Sequence, residues 1–124
     1  MARAGPLTHD KHDVESRWEL LPQKELLLLW AVWRSGERGV YGLDIQRAIS
    51  ECSGGSEEVS VGTLYSLLKR LRKRGLIDSY EGAALGGGAK RHYYYLTDEG
   101  TAIAESTAEF FNRLQTWLPC NGTV

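Results

Sequence analysis

A chain of 124 residues with 42% hydrophobic content supplies one domain and one modest core. Its net charge of −1 argues against indiscriminate attraction to polyanions, and the apolar run from Leu26 to Trp33 is too short to span a bilayer. Cys52 and Cys120 lack paired-ligand spacing and read as free thiols in a reducing compartment; with no secretory pattern in the polar stretch Met1 to Arg17, a cytoplasmic protein is expected.

Residues 1–15 mix proline, glycine, histidine and charges without periodicity and read as a flexible arm. Ser16 and Glu19 stand at capping-box spacing, but Pro22 limits a helix begun there to about one turn, so Trp18, Leu20 and Leu21 are expected to fold back onto the body. Pro22 suits a first helical position. The following Gln23 to Arg34, with LLLLWAVW at its centre, is apolar all round and predicts a central, buried helix. Ser35, Gly36 and Gly39 break it; Leu43, Ile45, Ala48 and Ile49 mark a second helix over Leu43 to Glu51, and Glu57 to Val59 is read as a short extended piece after a Ser/Gly loop.

Ser60 to Ile77 reads SVGTLYSLLKRLRKRGLI. Leu64, Leu67, Leu68 and Leu71 recur at helical spacing on one side, while Gly62, Ser66, Lys69 and Lys73 centre on the other, flanked by Tyr65 and Arg70. Ser60 is the expected N-cap and Gly75 the expected stop. No acidic residue lies between them, so the basic face reads as uncompensated. Such a helix suits a DNA major groove, although cations near a helix C-terminus also satisfy the macrodipole in any protein. The wider charge pattern favours the groove: residues 60–94 carry 7 basic and 2 acidic side chains, against 7 and 10 before them and 1 and 4 after.

After Gly75 the period changes to that of strands. Leu76 to Glu81 and Arg91 to Leu96 flank a glycine-rich tip, Gly82 to Gly88, and form a β-hairpin behind the helix: the wing of a winged helix. Arg91, Tyr93 and Tyr95 share one face and His92, Tyr94 and Leu96 the other; the tyrosines read as packing residues. Thr97 caps a last helix, expected to continue to Leu118 before Pro119. Its apolar stripe of Ile103, Phe110, Phe111, Leu114, Trp117 and Leu118 exceeds what a small core buries, which points to a two-fold copy of the same helix. The expected fold is mainly α (α+β): a winged helix-turn-helix over 16–97, a dimerisation helix over 98–118 and a tail over 119–124.

YGLDIQRAI, SVGTLYSLLKRLRKRGLI, the glycine-rich tip and KRHYYYLTDEG, in this order, resemble the PadR-like family of winged-helix transcriptional regulators from about Pro22 to the last helix. The resemblance implies a homodimer that binds operator double-stranded DNA and usually represses, with Thr63, Tyr65, Lys90 and Arg91 as the positions that carry it. Ser66 departs from the family's usual proline, and Arg72-Lys73-Arg74 replaces an often acidic segment, a change expected to steepen salt dependence. On this reading Gly62, Thr63, Tyr65 and Ser66 face bases or sugars, Lys69, Arg70, Lys73, Lys90 and Arg91 hold phosphates, and Ser60 at the helix start is counted among the DNA-binding residues.

Two other functions stay open: a repressor responsive to a flat aromatic small molecule near Trp30, Trp33 and Trp117, and an interaction module that has kept the fold without reading DNA. An enzyme is not expected. Gly86-Gly87-Gly88-Ala89-Lys90 lacks the Gly-Lys-Ser/Thr of a phosphate loop, and no nucleophile–base set stands out. No cofactor or metal is expected, since His9, His12, His92, Cys52 and Cys120 match no ligand spacing.

Overall fold

A computed structural model of the chain describes residues 18–83 and 88–120; the expected arm (1–15), Ser16 of the capping-box pair, the middle of the wing tip (84–87) and the last tail residues (121–124) lie outside the described residues. Helix α1 (Gln23–Arg34) begins after Pro22, whose φ of −53° suits a helix start and whose carbonyl accepts the Leu26 N–H at 2.9 Å. Leu28, Leu29 and Val32 are buried, and so is Glu25, the one charged residue buried among the described residues. Ahead of α1, Leu21 is buried and Trp18 meets the Phe110 ring at 5.1 Å, but Leu20 stays exposed, so only part of this segment folds back; Trp18 to Leu21 is not helical.

A two-residue strand β1 (Val40–Tyr41), absent from the sequence reading, leads into helix α2 (Gly42–Cys52). Gly39 before it has φ +85°, and a Cβ there would stand 2.9 Å from the Tyr94 carbonyl oxygen, so the close approach requires glycine. Residues 57–59, expected to be extended, join no sheet. Val59 is buried and its carbonyl accepts Gln46 Nε2 at 2.6 Å, while Ser53 Oγ accepts the Glu57 N–H at 2.8 Å, which fixes the connection into helix α3 (Val61–Lys73).

Strands β2 (Ile77–Ala83) and β3 (Lys90–Leu96) form the hairpin, and β1 adds to its other edge in the antiparallel order β1-β3-β2, with Tyr41 opposite Tyr93 and Ile77 opposite Leu96. Thr97 then caps helix α4 (Asp98–Thr116), its Oγ1 accepting the Gly100 N–H at 3.1 Å and donating to the Gly75 carbonyl at 2.6 Å. Gly100 lies directly on the Leu76 carbonyl, where no Cβ fits. Helix α4 stops at Thr116 rather than Leu118, and Trp117 is extended (φ −70°, ψ 139°); Pro119 disfavours helical geometry in the residue before it. Helix α1 is central as expected, touching α2, α3, α4 and β3, while the fold as a whole is helical with a small antiparallel wing.

Candidate nucleic-acid interface

Leu64, Leu68 and Leu71 of α3 are 0–1% exposed, and each contributes about 2 kcal/mol by leaving water. Their burial fixes which side turns outward: Gly62, Ser66, Lys69 and Lys73 are all exposed, and a side chain at Gly62 would meet open space. Ser60 caps the helix, its Oγ accepting the Thr63 N–H at 3.2 Å. The far end closes with Gly75 at φ +77°, the Leu76 N–H reaching Leu71 O at 3.0 Å and the Gly75 N–H reaching Arg72 O at 2.9 Å. Both ends of the recognition-helix candidate are therefore satisfied by the chain itself.

The basic face is not uncompensated, because acids from other elements reach it. Arg70 Nη1 donates to Glu25 Oε2 at 3.1 Å, Arg72 Nε to Asp78 Oδ1 at 3.2 Å, and Arg74 Nη2 to both oxygens of Glu19 at 2.6 and 2.7 Å. Arg74 Nη1 also reaches Glu25 Oε1 at 3.5 Å. The Glu19 hydrogen bond, against an opposing effect of burial, raises the Arg74 pKa. Lys69 and Lys73 make no ion pair among the described residues. The helix thus separates its cations: arginines bind the fold, lysines face water. Arg70, expected among the phosphate contacts, is held by the buried Glu25 instead.

Tyr65 sits at the edge of the same face. Its ring packs across Gly42, whose Cβ, if present, would lie 2.7 Å from the Tyr65 hydroxyl. Burial first, then the neighbouring Tyr41, raises its pKa. In the wing, Lys90 is exposed, whereas the Arg91 guanidinium stacks 4.3 Å above the Tyr41 ring. Tyr80 and Tyr93 stack at 5.5 Å, Tyr41 and Tyr95 flank them, and Tyr94 and Leu96 pack onto the core, so the tyrosines do pack. His92, on the core-side register, stays exposed beside Glu81 at 3.8 Å.

Known proteins share the fold that carries this face. The sequence profile of the transcriptional regulator PadR-like family matches residues 34–106, which takes in α2, α3, the wing and the start of α4. The chain belongs to the PadR-like family. A PadR-like transcriptional regulator from Bacillus cereus superposes with a TM-score of 0.63 at 29% identity over 75% of this chain and 84% of that one. A PadR family transcription regulator from Clostridium difficile does so at 0.61 and 28% over 76% and 92%. An uncharacterised protein from Lysinibacillus sphaericus is 38% identical over 66 residues, and the match spans 53% of this chain and 60% of the relative's length. Membership places this PadR-like chain among regulators of transcription, not among enzymes.

The second expected surface, on α4, divides in two. Ile103, expected at a partner interface, is fully buried in the chain's own core, and Thr107 beside it accepts the Trp30 indole N–H at 3.1 Å. Phe110 and Phe111 are half-buried, Phe111 against Trp30 at 5.8 Å. Leu114, Trp117 and Leu118 are 58, 66 and 68% exposed. An apolar groove of about 460 Å³ opens between α1 and α2, lined by Leu27, Trp30, Ala31 and Ile49 with Arg34 and Cys52 among its other walls. Of the three tryptophans suspected of a ligand role only Trp30 lines it. Both cysteines are exposed free thiols, and among the described residues no group of three or more His, Cys, Asp or Glu is placed to hold a metal. No helix among them is long and apolar enough to cross a membrane.

Sequence reasoning missed Glu25 and Glu19 because their partners lie far along the chain, and Asp78 because its partner Arg72 sits across the turn from helix to strand, where no single period applies. The available signal was one carboxylate in the first turn of a helix otherwise apolar on its inner side. It missed Tyr41 because two residues leave no strand period to read.

Proposed function

We propose that this PadR-like regulator is a dimeric, sequence-specific repressor that acts in the cytoplasm, binding operator DNA with residues 60–74 and the wing 82–91. The observation that carries the reading is the outer face of α3, where Gly62 and Ser66 permit close approach at the start and Lys69 and Lys73, without an ion pair among the described residues, follow later, opposite the buried Leu64, Leu68 and Leu71. Gly62, Thr63, Tyr65 and Ser66 meet base edges or sugars; Lys69, Lys73, Lys90 and Arg91 attract phosphates; Ser60 serves through the cap that fixes the helix start. Two such helices, joined through the outer end of α4, read half-sites about 34 Å apart. Lys73→Ala is expected to weaken binding to all sequences and to flatten the log K–log[salt] slope by about one unit. An unchanged slope removes Lys73 from the interface, and a gel shift with no sequence preference favours an interaction module.

A small aromatic effector is the second reading, favoured by the groove beside Trp30, whose volume suits a compact ligand. Saturable quenching of tryptophan fluorescence by a compound panel supports it, and no response ends it. A finer identity rests on resemblance alone. The polar leader and LLLLWAVW resemble the period-extender protein of the cyanobacterial circadian clock, itself PadR-like, which makes a clock gene the target to look for. Selecting bound genomic fragments with the purified chain tests this: absence of clock-gene promoters removes that assignment.

A further inference from the structure

Glu25 is a costly residue to place where it stands. Its side chain is 5% exposed in the first turn of α1, and a carboxylate taken out of water must be paired. Arg74 is a distant partner at 3.5 Å and already holds both oxygens of Glu19, so Arg70 at 3.1 Å is the principal counter-charge of Glu25. Yet the Arg70 side chain is itself 60% exposed. On α3 it neighbours Ser66 one turn back and Lys73 one turn on, at the margin of the face that meets DNA. A free arginine there would grip any phosphate bidentately, and that attraction carries no sequence information. To do so it would have to abandon a buried carboxylate, which costs more than one exposed contact returns.

We propose that Glu25 is a specificity-determining positioning residue: its buried carboxylate keeps Arg70 off the DNA backbone, so that α3 meets phosphates through Lys69 and Lys73 and sequence-blind binding stays low. The proposal rests on the DNA-binding reading and deepens it. It also explains how a segment with so many cations serves a selective regulator: Arg70, Arg72 and Arg74 are each neutralised from within the chain.

The test is the salt dependence of binding to a short duplex of mixed sequence, measured on the full chain by fluorescence anisotropy. Arg70→Ala should keep the wild-type slope, whereas Lys73→Ala loses about one unit. Glu25→Gln, close in shape but neutral, should free Arg70, tighten mixed-sequence binding and steepen the slope by about 0.9, which makes binding about 3.5-fold more sensitive to a fourfold rise in salt. Glu25→Gln combined with Arg70→Ala should return the slope to the wild-type value, which a merely structural role of Glu25 would not do. A slope that Arg70→Ala flattens as Lys73→Ala does overturns the proposal while leaving the DNA reading intact. So does weaker binding by Glu25→Gln at an unchanged slope. If circular dichroism shows Glu25→Gln unfolded, the Arg70→Ala and Lys73→Ala pair decides alone. A wild-type chain without salt-dependent binding overturns both readings.

Discussion

Helices α3 and α4 are both amphipathic, and each leaves something over after the core is filled, but the remainders differ in kind. Helix α3 buries Leu64, Leu68 and Leu71 within the chain and half-buries Leu67, and it turns out small residues and two lysines that make no ion pair among the described residues. Helix α4 buries Gly100, Ala102, Ile103, Ala104 and Thr107 in its first half and then runs out of core, so that Leu114 near its end, and Trp117 and Leu118 just past it, are left in water. A solvated lysine is stable alone and becomes useful when a polyanion arrives. An exposed tryptophan beside two exposed leucines is unfavourable until something covers it. The first remainder suits a nucleic acid and the second a protein surface, which is why the dimer proposed above is joined there.

That comparison breaks if the outer end of α4 is idle. Replacing Trp117 and Leu118 by serine should raise the dimer dissociation constant by about 30-fold or more, the size of a hot-spot loss of about 2 kcal/mol, with helix content unchanged. Sedimentation equilibrium reads it, and an unaltered association constant removes this end of the helix from any interface. The inner half should behave oppositely. Thr107→Val leaves the half-buried Trp30 indole N–H, bonded to Thr107 Oγ1 at 3.1 Å, without that acceptor and should cost about 1 kcal/mol in urea unfolding. Its salt slope on DNA should stay that of the wild type, and a changed slope would mean that the two halves are not separate.

The division within α3 was legible from spacing, because leucines at helical intervals and a Ser/Gly pair at the ends are local signals; the observed Val61–Lys73 with Ser60 as cap follows them closely. The wing was legible for the same reason. The division within α4 was not. A stripe that includes both Ile103 and Trp117 is continuous in the sequence, and only the extent of the surrounding body shows that one residue lies inside and the other beyond it. Nor were the acid partners of the arginines, since the period of a helix says which residues share a face and nothing about what a distant element brings to it. Glu25 and Arg70 are 45 positions apart, and their pairing follows from the packing of α1 on α3.

The smallest expected effect concerns Tyr65, the residue of α3 that belongs to both sides of the comparison, packed over Gly42 yet 38% exposed. Its pKa is raised by burial and then by Tyr41, and that of Tyr94 by burial and then by Tyr65, with Arg72 pulling the other way. A raised phenol pKa means that the folded chain keeps protons that the unfolded chain releases. The corresponding stability is therefore fully present below the unfolded value, about 10, and is lost as pH rises through the higher folded values. Urea midpoints of the wild type should fall above pH 10, and Tyr65→Phe should make that fall shallower while leaving the midpoint at pH 8 little changed. Because Tyr65 is partly in water, the difference is small, and adding Tyr94→Phe should flatten the curve further. If Tyr65→Phe leaves the alkaline decline untouched, the hydroxyl is solvated, and the ring belongs wholly to the DNA-facing side of the helix.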